Sequence, residues 1–583
     1  MTDYSIFGAG PGGLYTAWRL LSGGTLTSAD SVTLYEWGDF NFPGITSGNR
    51  NPAGRICSYH YQGDSNNSYI EVGGMRYIEW DGTSGHKLVT ATISALGLQD
   101  VSIPFNTTTN PLLYLRGQTF LQGDLGPDFQ APYATPGNNE NPADDLYGNI
   151  SKLLIGDQSL TTRAEQCNFY SSGTLPSDFN SFVYSGGETV SNIGYWNVFY
   201  DQAGNEGYNY ATDAGGYSSN TINWNAADAA IYNGEFAPGG SFKTLSTGYS
   251  SMFSELFTTC QQVAQDNGID FNYVPNTRLH SIWSNSDGQA SFTTASSSTP
   301  EEAAGDPVTT DYAFLAMPPH SIELVAQATR YNEISGGIDF LNTQNVRNYL
   351  ESVIEQPSYK VAMFFDSPWW ENTPYPPCLV NEPNHNENVF GPTITDLPLR
   401  QIYYFGNNAP DSSGDPVYGL LASYDDMRFI RFWQEMELGV SERRTEAKSQ
   451  DYQPLFDVGT APESMEKMLL LELAKVHYGN PNGAHEIPAP LETRFMDWGL
   501  APFGAGYHAW APHYDICDVM QNIRIPAVMA GAENPNIFIL GSAFSNDQAW
   551  VEGAFCTAES ILTEFLGLSP LVSTDDYPLI CPC

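Results

Sequence analysis

Positive charge is what this 583-residue chain has least of: Lys and Arg together number 23 against 66 Asp and Glu, for a formal net charge of −43. Nucleic acids and anionic membranes are held through basic footprints, so both are excluded as partners by charge. No apolar run approaches the ~18 residues of a membrane-spanning helix, so no span is expected. Histidines number only nine, and no H-E-x-x-H or similar ligand spacing occurs, so no metal is predicted. None of the eight cysteines (Cys57, Cys167, Cys260, Cys378, Cys517, Cys556, Cys581, Cys583) forms a C-x-x-C. Most are read as reduced structural thiols, and the terminal Cys581-Pro582-Cys583 is the stretch able to pair or react. The first strand begins by residue 4, which leaves no room for a signal or transit peptide. A cytoplasmic location is therefore expected, with secretion of a processed form left open.

The length is too great for one core, and two or three domains are expected. Apolar residues make up 41% of the chain, and the mean hydropathy is −0.30, as in ordinary globular proteins. Aromatics reach 13%, enough to line large pockets and interfaces. With so few cations, each Arg and Lys is worth placing.

The N-terminus carries the strongest motif. A short apolar strand, Tyr4-Ser5-Ile6-Phe7, runs into the G-x-G-x-x-G turn Gly8-Ala9-Gly10-Pro11-Gly12-Gly13. A helical pattern follows (Leu14, Ala17, Trp18, Leu20, Leu21), then a second strand, Val32-Thr33-Leu34-Tyr35, ending at Glu36. This is the order of a dinucleotide-binding βαβ unit. The glycines allow the tight turn and a close backbone approach to a pyrophosphate, the helix N-terminus favours its charge, and Glu36 can accept from ribose hydroxyls.

Further along, three blocks read as pieces of one nucleotide-binding domain: residues 1–80, 236–320 and 495–583. The second holds a helix over 247–266, strands at 270–274 and 279–284, and Tyr312–Met317 running into Pro318-Pro319. The third holds the strand at 537–540 and a last helix over 550–566. Residues 125–235, rich in Asn, Gly, Ser, Tyr and Asp, read as a helical and irregular insertion. The stretches 81–124 and 321–494 read as a sheet-bearing second domain, with helices over 338–355, 424–439 and 464–478 and strands at 359–366 and 400–405.

Five segments, in order, resemble the FAD-dependent amine oxidases, and within them the bacterial type of L-amino-acid oxidase. The N-terminal unit is the first. Ala53-Gly54-Arg55 is similar to the family's Gly-Gly-Arg, whose arginine meets the FAD diphosphate. Glu71-Val72-Gly73-Gly74-Met75-Arg76 is similar to a stretch beside the flavin ring, whose arginine binds the substrate carboxylate. A guanidinium fork is the natural partner of a carboxylate; the plainer reading has Arg76 paired with Glu71 or Glu79. Lys360–Phe365 followed by Trp369-Trp370 is similar to the family strand whose lysine holds a water near flavin N5. The strand after Asp396 resembles one that gives a tyrosine hydroxyl to the substrate carboxylate. Tyr404 is the choice there, and Tyr403, facing the other way by strand alternation, is the alternative. Finally Gly541-Ser542 and Ala549-Trp550-Val551-Glu552-Gly553-Ala554 resemble the closing motif, in which Ser542 and Ala549 replace the usual Glu and Gly. Trp37 and Leu279 also fall on the cofactor side, and Trp550 would wall the substrate pocket. His508, in the Gly- and aromatic-rich stretch 503–510, is assigned no chemistry.

The resemblance implies an α/β (α+β) fold: a Rossmann-like FAD-binding domain assembled from discontinuous segments, a mixed-sheet substrate-binding domain and a largely helical insertion. It implies oxidative deamination of L-amino acids with dioxygen as acceptor, giving 2-oxo acids, ammonia and hydrogen peroxide. Hydride would pass from Cα to flavin N5, and the assembly would be a homodimer. The aromatic abundance points to large neutral side chains. A flavin monooxygenase that decarboxylates amino acids to amides, and an oxidase selective for L-lysine or L-arginine, are the alternatives.

Overall fold

Five strands run parallel in one sheet, in the order Asp270–Val274, Ser31–Tyr35, Asp3–Phe7, Tyr312–Leu315, Ile537–Ile539. Ile6 sits opposite Leu34 on one side and Phe314 on the other. These apolar runs are covered on both faces, as parallel sheets require. Three distant stretches of chain thus build one sheet, which bears out the assembly of this domain from discontinuous segments. The computed structural model describes residues 1–38, 40, 54–61, 68–135, 139–235, 241–297, 304–332, 334, 336–377, 390–409, 415–440 and 458–582. Ala53, Cys378 and Cys583 lie outside the described residues.

The helix Pro11–Ser22 packs against the last helix, Val551–Glu564. Tyr15 stacks on Phe555 at 4.3 Å between ring centroids. Below that pair, the buried Arg19 meets Glu559 at 2.9 Å, and the Tyr15 hydroxyl donates to the same carboxylate at 3.0 Å. A buried ion pair is costly unless its remaining hydrogen bonds are made. Here Arg19 also donates to the Ser569 carbonyl, and Glu559 accepts from the Leu571 amide. The two ends of the chain are locked at this point.

A second sheet has eight strands in the order Gly459–Thr460, Glu492–Asp497, Ser358–Phe365, Tyr418–Asp426, Gln401–Gly406, Thr393–Thr395, Leu112–Leu115, Gln118–Leu121. Only the pair joining Thr393–Thr395 to Leu112–Leu115 is parallel. The central strand Ser358–Phe365 is buried along its whole length. Two helices expected from the pattern do not form here. Residues 424–439 divide into the end of the strand Tyr418–Asp426 and a short helix, Ile430–Gln434. Residues 338–355 divide into a short turn, the helix Gln344–Leu350 and the strand Val353–Gln356. Sheet pairing on both edges of Tyr418–Asp426, and pairing of the β-branched Val353 and Ile354 with Tyr507–Trp510, outweigh local helical periodicity.

The stretch 125–235 carries the helices Asp144–Ile155, Arg163–Ser172, Tyr195–Ala214 and Ala226–Glu235. Cys167 of this stretch is joined by a disulfide to Cys581, 414 residues later. Cys57, Cys260, Cys517 and Cys556 are buried thiols. Among the described residues no helix is long and apolar enough to cross a membrane, and no group of three His, Cys, Asp or Glu is placed to hold a metal.

Candidate active site

A deep cleft opens where the parallel strands end, the position at which open α/β sheets bind ligands. It encloses about 1850 Å³ of space free of protein atoms, part of it open solvent. In a chain of net charge −43, four of its basic residues (Arg55, Arg76, Arg278, Lys360) line this cleft against one carboxylate, Glu36. The cleft is therefore a locally cationic place in an acidic protein.

At one end lie Gly8, Gly10, Pro11 and Gly12. Gly8 has φ +108°, and a Cβ there would stand 2.4 Å from the Ala316 carbonyl. Gly13 lies behind the lining, where a Cβ would stand 1.8 Å from the Gly8 carbonyl, so it serves the close seating of helix on strand. The helix Pro11–Ser22 begins without a side-chain cap, and so does Val551–Glu564. Both N-termini open into the cleft, where their first amide groups and dipoles favour an anion.

Glu36 is 5% exposed. Its carboxylate accepts from the Ala9 amide at 2.6 Å and the Gly38 amide at 2.7 Å. Burial pushes its carboxyl up to about 7, only partly offset by those amides. Further hydrogen bonds from ribose hydroxyls are what such a group lacks. Arg55 donates to the carbonyls of Ala505 and Gly506 at 3.4 and 3.0 Å and, among the described residues, pairs with no carboxylate. Burial alone lowers its guanidinium to about 10. A half-buried cation with no counter-charge among the described residues, beside two uncapped helix N-termini, fits a diphosphate.

The segment Gly73-Gly74-Met75-Arg76 crosses the middle of the cleft. A Cβ on Gly73 would lie 2.4 Å from the Arg55 carbonyl and 2.5 Å from the Cys57 amide nitrogen, so only glycine lets these two backbones lie together. Arg76 is 8% exposed, with its guanidinium 4.1 Å from the centre of the Phe242 ring and 5.5 Å from that of Phe105. Its Nη1 has no hydrogen-bond partner among the described residues. It pairs with neither glutamate the sequence offered: Glu79 pairs with Lys243 at 3.2 Å, and Glu71 accepts from Ser58 and the Tyr249 amide.

The tyrosine expected beside Arg76 is misplaced by one residue. Tyr404 points away from the cleft, where its hydroxyl meets Thr393 at 2.8 Å and His477 at 3.1 Å, and its ring lies against Trp370. Tyr403, on the opposite face of the strand, lies on the side of Arg76 and donates to Gln401 at 2.9 Å. The cluster of Trp369, Trp370 and His477 claims the outer face with Tyr404, which leaves Tyr403 on the side of Arg76, behind the residues that line the cleft. The cleft wall also holds Tyr217, Tyr232, Tyr249, Tyr424 and Tyr507, none of which the motifs identified. Tyr217 and Tyr232 come from the insertion, and Tyr424 lies on a strand that reads as helix.

Lys360 is 3% exposed and lines the cleft. Its Nζ donates to the Gly73 carbonyl at 2.6 Å and lies 4.1 Å from the Tyr424 ring centre. Burial pushes the ammonium down to about 7; nearby Glu71 opposes the shift and Arg76 adds to it. Gly541, Ser542, Ala549, Trp550 and Val551 close the cleft, together with Trp37, Gly54, Met75 and Leu279. Gly541 has φ +142° and Ala549 φ +68°, the latter at a position where the resembling motif has glycine. Trp550 packs edge-on to His86 at 4.7 Å and parallel to Phe242 at 6.1 Å. His508 is buried behind the lining with neither ring nitrogen hydrogen-bonded in the protein, and burial holds its ring neutral.

No protein-family model matches the sequence. Among characterised proteins, Aplysianin-A of Aplysia kurodai is 22% identical over 582 residues, covering 97% of this chain and 90% of its own length. L-amino-acid oxidase 4 of Hebeloma cylindrosporum is 25% identical over 226 residues, covering 38% of this chain and 30% of its own. An uncharacterized protein of Acanthamoeba polyphaga mimivirus is 21% identical over 584 residues. Among solved structures, a putrescine oxidase with redesigned cofactor binding superimposes with a TM-score of 0.55 at 13% identity, covering 97% of this chain and 99% of that one. The fold is therefore that of the putrescine oxidase. The resemblance to FAD-dependent amine and amino-acid oxidases, carried first by the motifs, is borne out.

Proposed function

We propose that this chain is an FAD-dependent L-amino-acid oxidase that converts L-amino acids with large neutral side chains to 2-oxo acids, ammonia and hydrogen peroxide. The observation that carries the reading is Arg76: a buried guanidinium with an idle Nη1 and, among the described residues, no carboxylate partner, set in the middle of a cleft whose far end suits a dinucleotide. A simple amine gives that cation nothing to bind, whereas an amino-acid carboxylate pairs with it.

Gly8, Gly10, Gly12, Arg55 and the two helix N-termini would hold the diphosphate of FAD, Glu36 its ribose, and Gly73 to Met75 the ring. FAD held there would supply the redox chemistry, that of a hydride acceptor reoxidised by dioxygen. The chain's own part is mainly positioning. Arg76, with the Tyr403 hydroxyl, fixes the substrate carboxylate and so the direction of Cα–H. Arg76 and Lys360 together disfavour a substrate ammonium, so the amine binds neutral, as hydride loss from Cα requires. Tyr217, Tyr232, Tyr424 and Trp550 surround the side chain with rings and offer no carboxylate to a basic one. This favours Phe, Leu or Met over Lys or Arg, and over diamines.

The test is the visible spectrum of the purified protein under anaerobic additions of single amino acids. Bleaching of a flavin band by L- but not D-amino acids, with recovery and peroxide release in air, is the expected result. Recovery with amide formation would replace the reading by a monooxygenase. A yellow protein that no amino acid bleaches would refute it.

A further inference from the structure

Three of the cleft tyrosines come from three separate stretches of chain, and one carboxylate joins them. Tyr217 belongs to the insertion, Tyr424 to the strand Tyr418–Asp426 and Tyr507 to the strand Tyr507–Trp510. Asp426 ends the second of these and is 1% exposed. Its Oδ1 accepts from the Ser218 amide at 2.9 Å, and its Oδ2 from the Ser219 amide at 2.8 Å and the Tyr507 hydroxyl at 3.0 Å. The Tyr507 hydroxyl also meets Ser219 Oγ at 2.6 Å. Hydrogen bonds to a buried carboxylate are strong, so the joint is stiff.

The other end of the same turn is held from the same sheet. The helix Tyr195–Ala214 ends just before it, and the last carbonyls of a helix lack partners within it. The fully buried Arg400 serves them, donating to the Thr212 carbonyl at 2.6 Å and the Asp213 carbonyl at 3.4 Å, and Arg428 donates to the Asp213 carboxylate at 2.5 Å. Between these clamps Gln401 donates to the Gly216 carbonyl at 3.2 Å. Gly216 has φ +81°, and a Cβ there would stand 3.1 Å from the Gln401 side chain. The turn thus has a cation on its first carbonyls and an anion on its last amides. Tyr217 is the residue it carries into the cleft, edge-on to Tyr424 at 5.5 Å between ring centroids.

We propose that Asp426 is a positioning residue and Tyr217 a specificity-determining one: the carboxylate fixes the turn, and the inward ring is the wall against which a large apolar side chain of the substrate packs. This rests on the oxidase reading above. A ring held in place before substrate arrives spares the complex the ordering of that wall. The insertion is then part of the substrate pocket, and its seating on the second sheet sets which side chains the pocket prefers.

The test follows anaerobic reduction of the flavin-loaded protein by L-Phe and by L-Ala, and takes the ratio of their second-order rate constants as the preference. Asp426→Asn keeps the shape but turns an amino group toward one of the amides. The preference for L-Phe should fall about tenfold, through weaker half-saturation by L-Phe rather than a slower limiting rate. Tyr217→Ala should lower it at least as far. In the double variant the two losses should not multiply, because Asp426 acts through the ring. Exchange of the amide hydrogens of residues 212–221 should quicken in Asp426→Asn. Where flavin retention and far-UV circular dichroism show that this variant fails to fold, Tyr507→Phe, which removes one of the three donors and keeps the ring, carries the same test with a smaller loss. Equal losses for L-Phe and L-Ala, losses that multiply in the double variant, or unchanged exchange overturns the proposal. If no amino acid reduces the flavin, the oxidase reading fails, while the exchange rates still decide whether Asp426 holds the turn.

Discussion

Replacing Arg76 by Met tests the carboxylate clamp most directly. The guanidinium is 8% exposed and already stripped of water, with its Nη1 unpartnered and its face on Phe242. The protein has therefore met the desolvation before substrate arrives, and little of the pairing energy is lost on binding. Truncating one partner of a buried, hydrogen-bonded charge pair costs about 2–5 kcal/mol, and the pre-desolvated geometry argues for the upper half. At ~1.4 kcal/mol per factor of ten, L-Phe should bind and react roughly 300- to 4000-fold less well. Met fills similar volume against Phe242, so flavin content should hold. The assay is anaerobic flavin reduction followed by stopped flow, with L-Phe and with phenethylamine, which differs only in lacking the carboxylate. Wild type should strongly prefer L-Phe, and Arg76→Met should lose that preference. An equal loss for both substrates, or unchanged L-Phe reduction, would refute the clamp.

The strand that carries Tyr403 and Tyr404 makes a paired prediction. Tyr403→Phe should raise the KM for L-Phe by roughly tenfold, the worth of one hydrogen bond to a charged group, whereas Tyr404→Phe should leave KM alone and lower stability by about 1 kcal/mol through its lost bonds to Thr393 and His477. Ala549 holds φ +68°, where glycine is unstrained, so Ala549→Gly should raise the denaturant midpoint by up to about 1 kcal/mol of stability; a fall would contradict the strain. Burial raises Glu36 to about 7, so without a dinucleotide its contribution to stability is present below about pH 4.5 and is lost as pH rises through about 7. Ribose hydroxyls donating to the carboxylate would reverse that shift, so FAD binding near pH 6 should release protons and tighten with pH; calorimetry in buffers of different ionisation enthalpy should register this, and Glu36→Gln should abolish it. Cys167→Ser opens the link to Cys581 across 414 residues and should cost about 2–5 kcal/mol, read as a lower unfolding midpoint without loss of flavin spectrum.

The parts of the site legible in the sequence are those whose chemistry is written in the backbone. Gly8 and Gly13 sit where a Cβ would strike the Ala316 or the Gly8 carbonyl, so no other residue serves there, and at Gly12 a Cβ would displace the end of the Leu540 side chain. The strand before them, the helix after them and Glu36 are local consequences of the same chain segment. Lys360 was visible because an ammonium opening an apolar strand demands an explanation. Ala549 shows the limit of motif reading: the residue differs from the resembling pattern while its φ keeps the glycine-like conformation.

What the sequence by itself determined is the dinucleotide end of the cleft and the position of its cations, because turn geometry and scarce charge are properties of short segments. Tertiary structure alone decided the rest. Tyr403 rather than Tyr404 faces Arg76 because Trp369, Trp370 and His477, far apart in sequence, occupy the other side of that strand. Tyr424 is a strand residue because two neighbouring strands pair with it, and Tyr217 and Tyr232 reach the cleft only through the packing of the insertion. Among the described residues Arg76 lacks a carboxylate partner because Glu71 and Glu79 are taken by Ser58, Tyr249 and Lys243. Alternation, pairing and burial are long-range outcomes, and they settle which of several locally equivalent side chains turns toward the cleft.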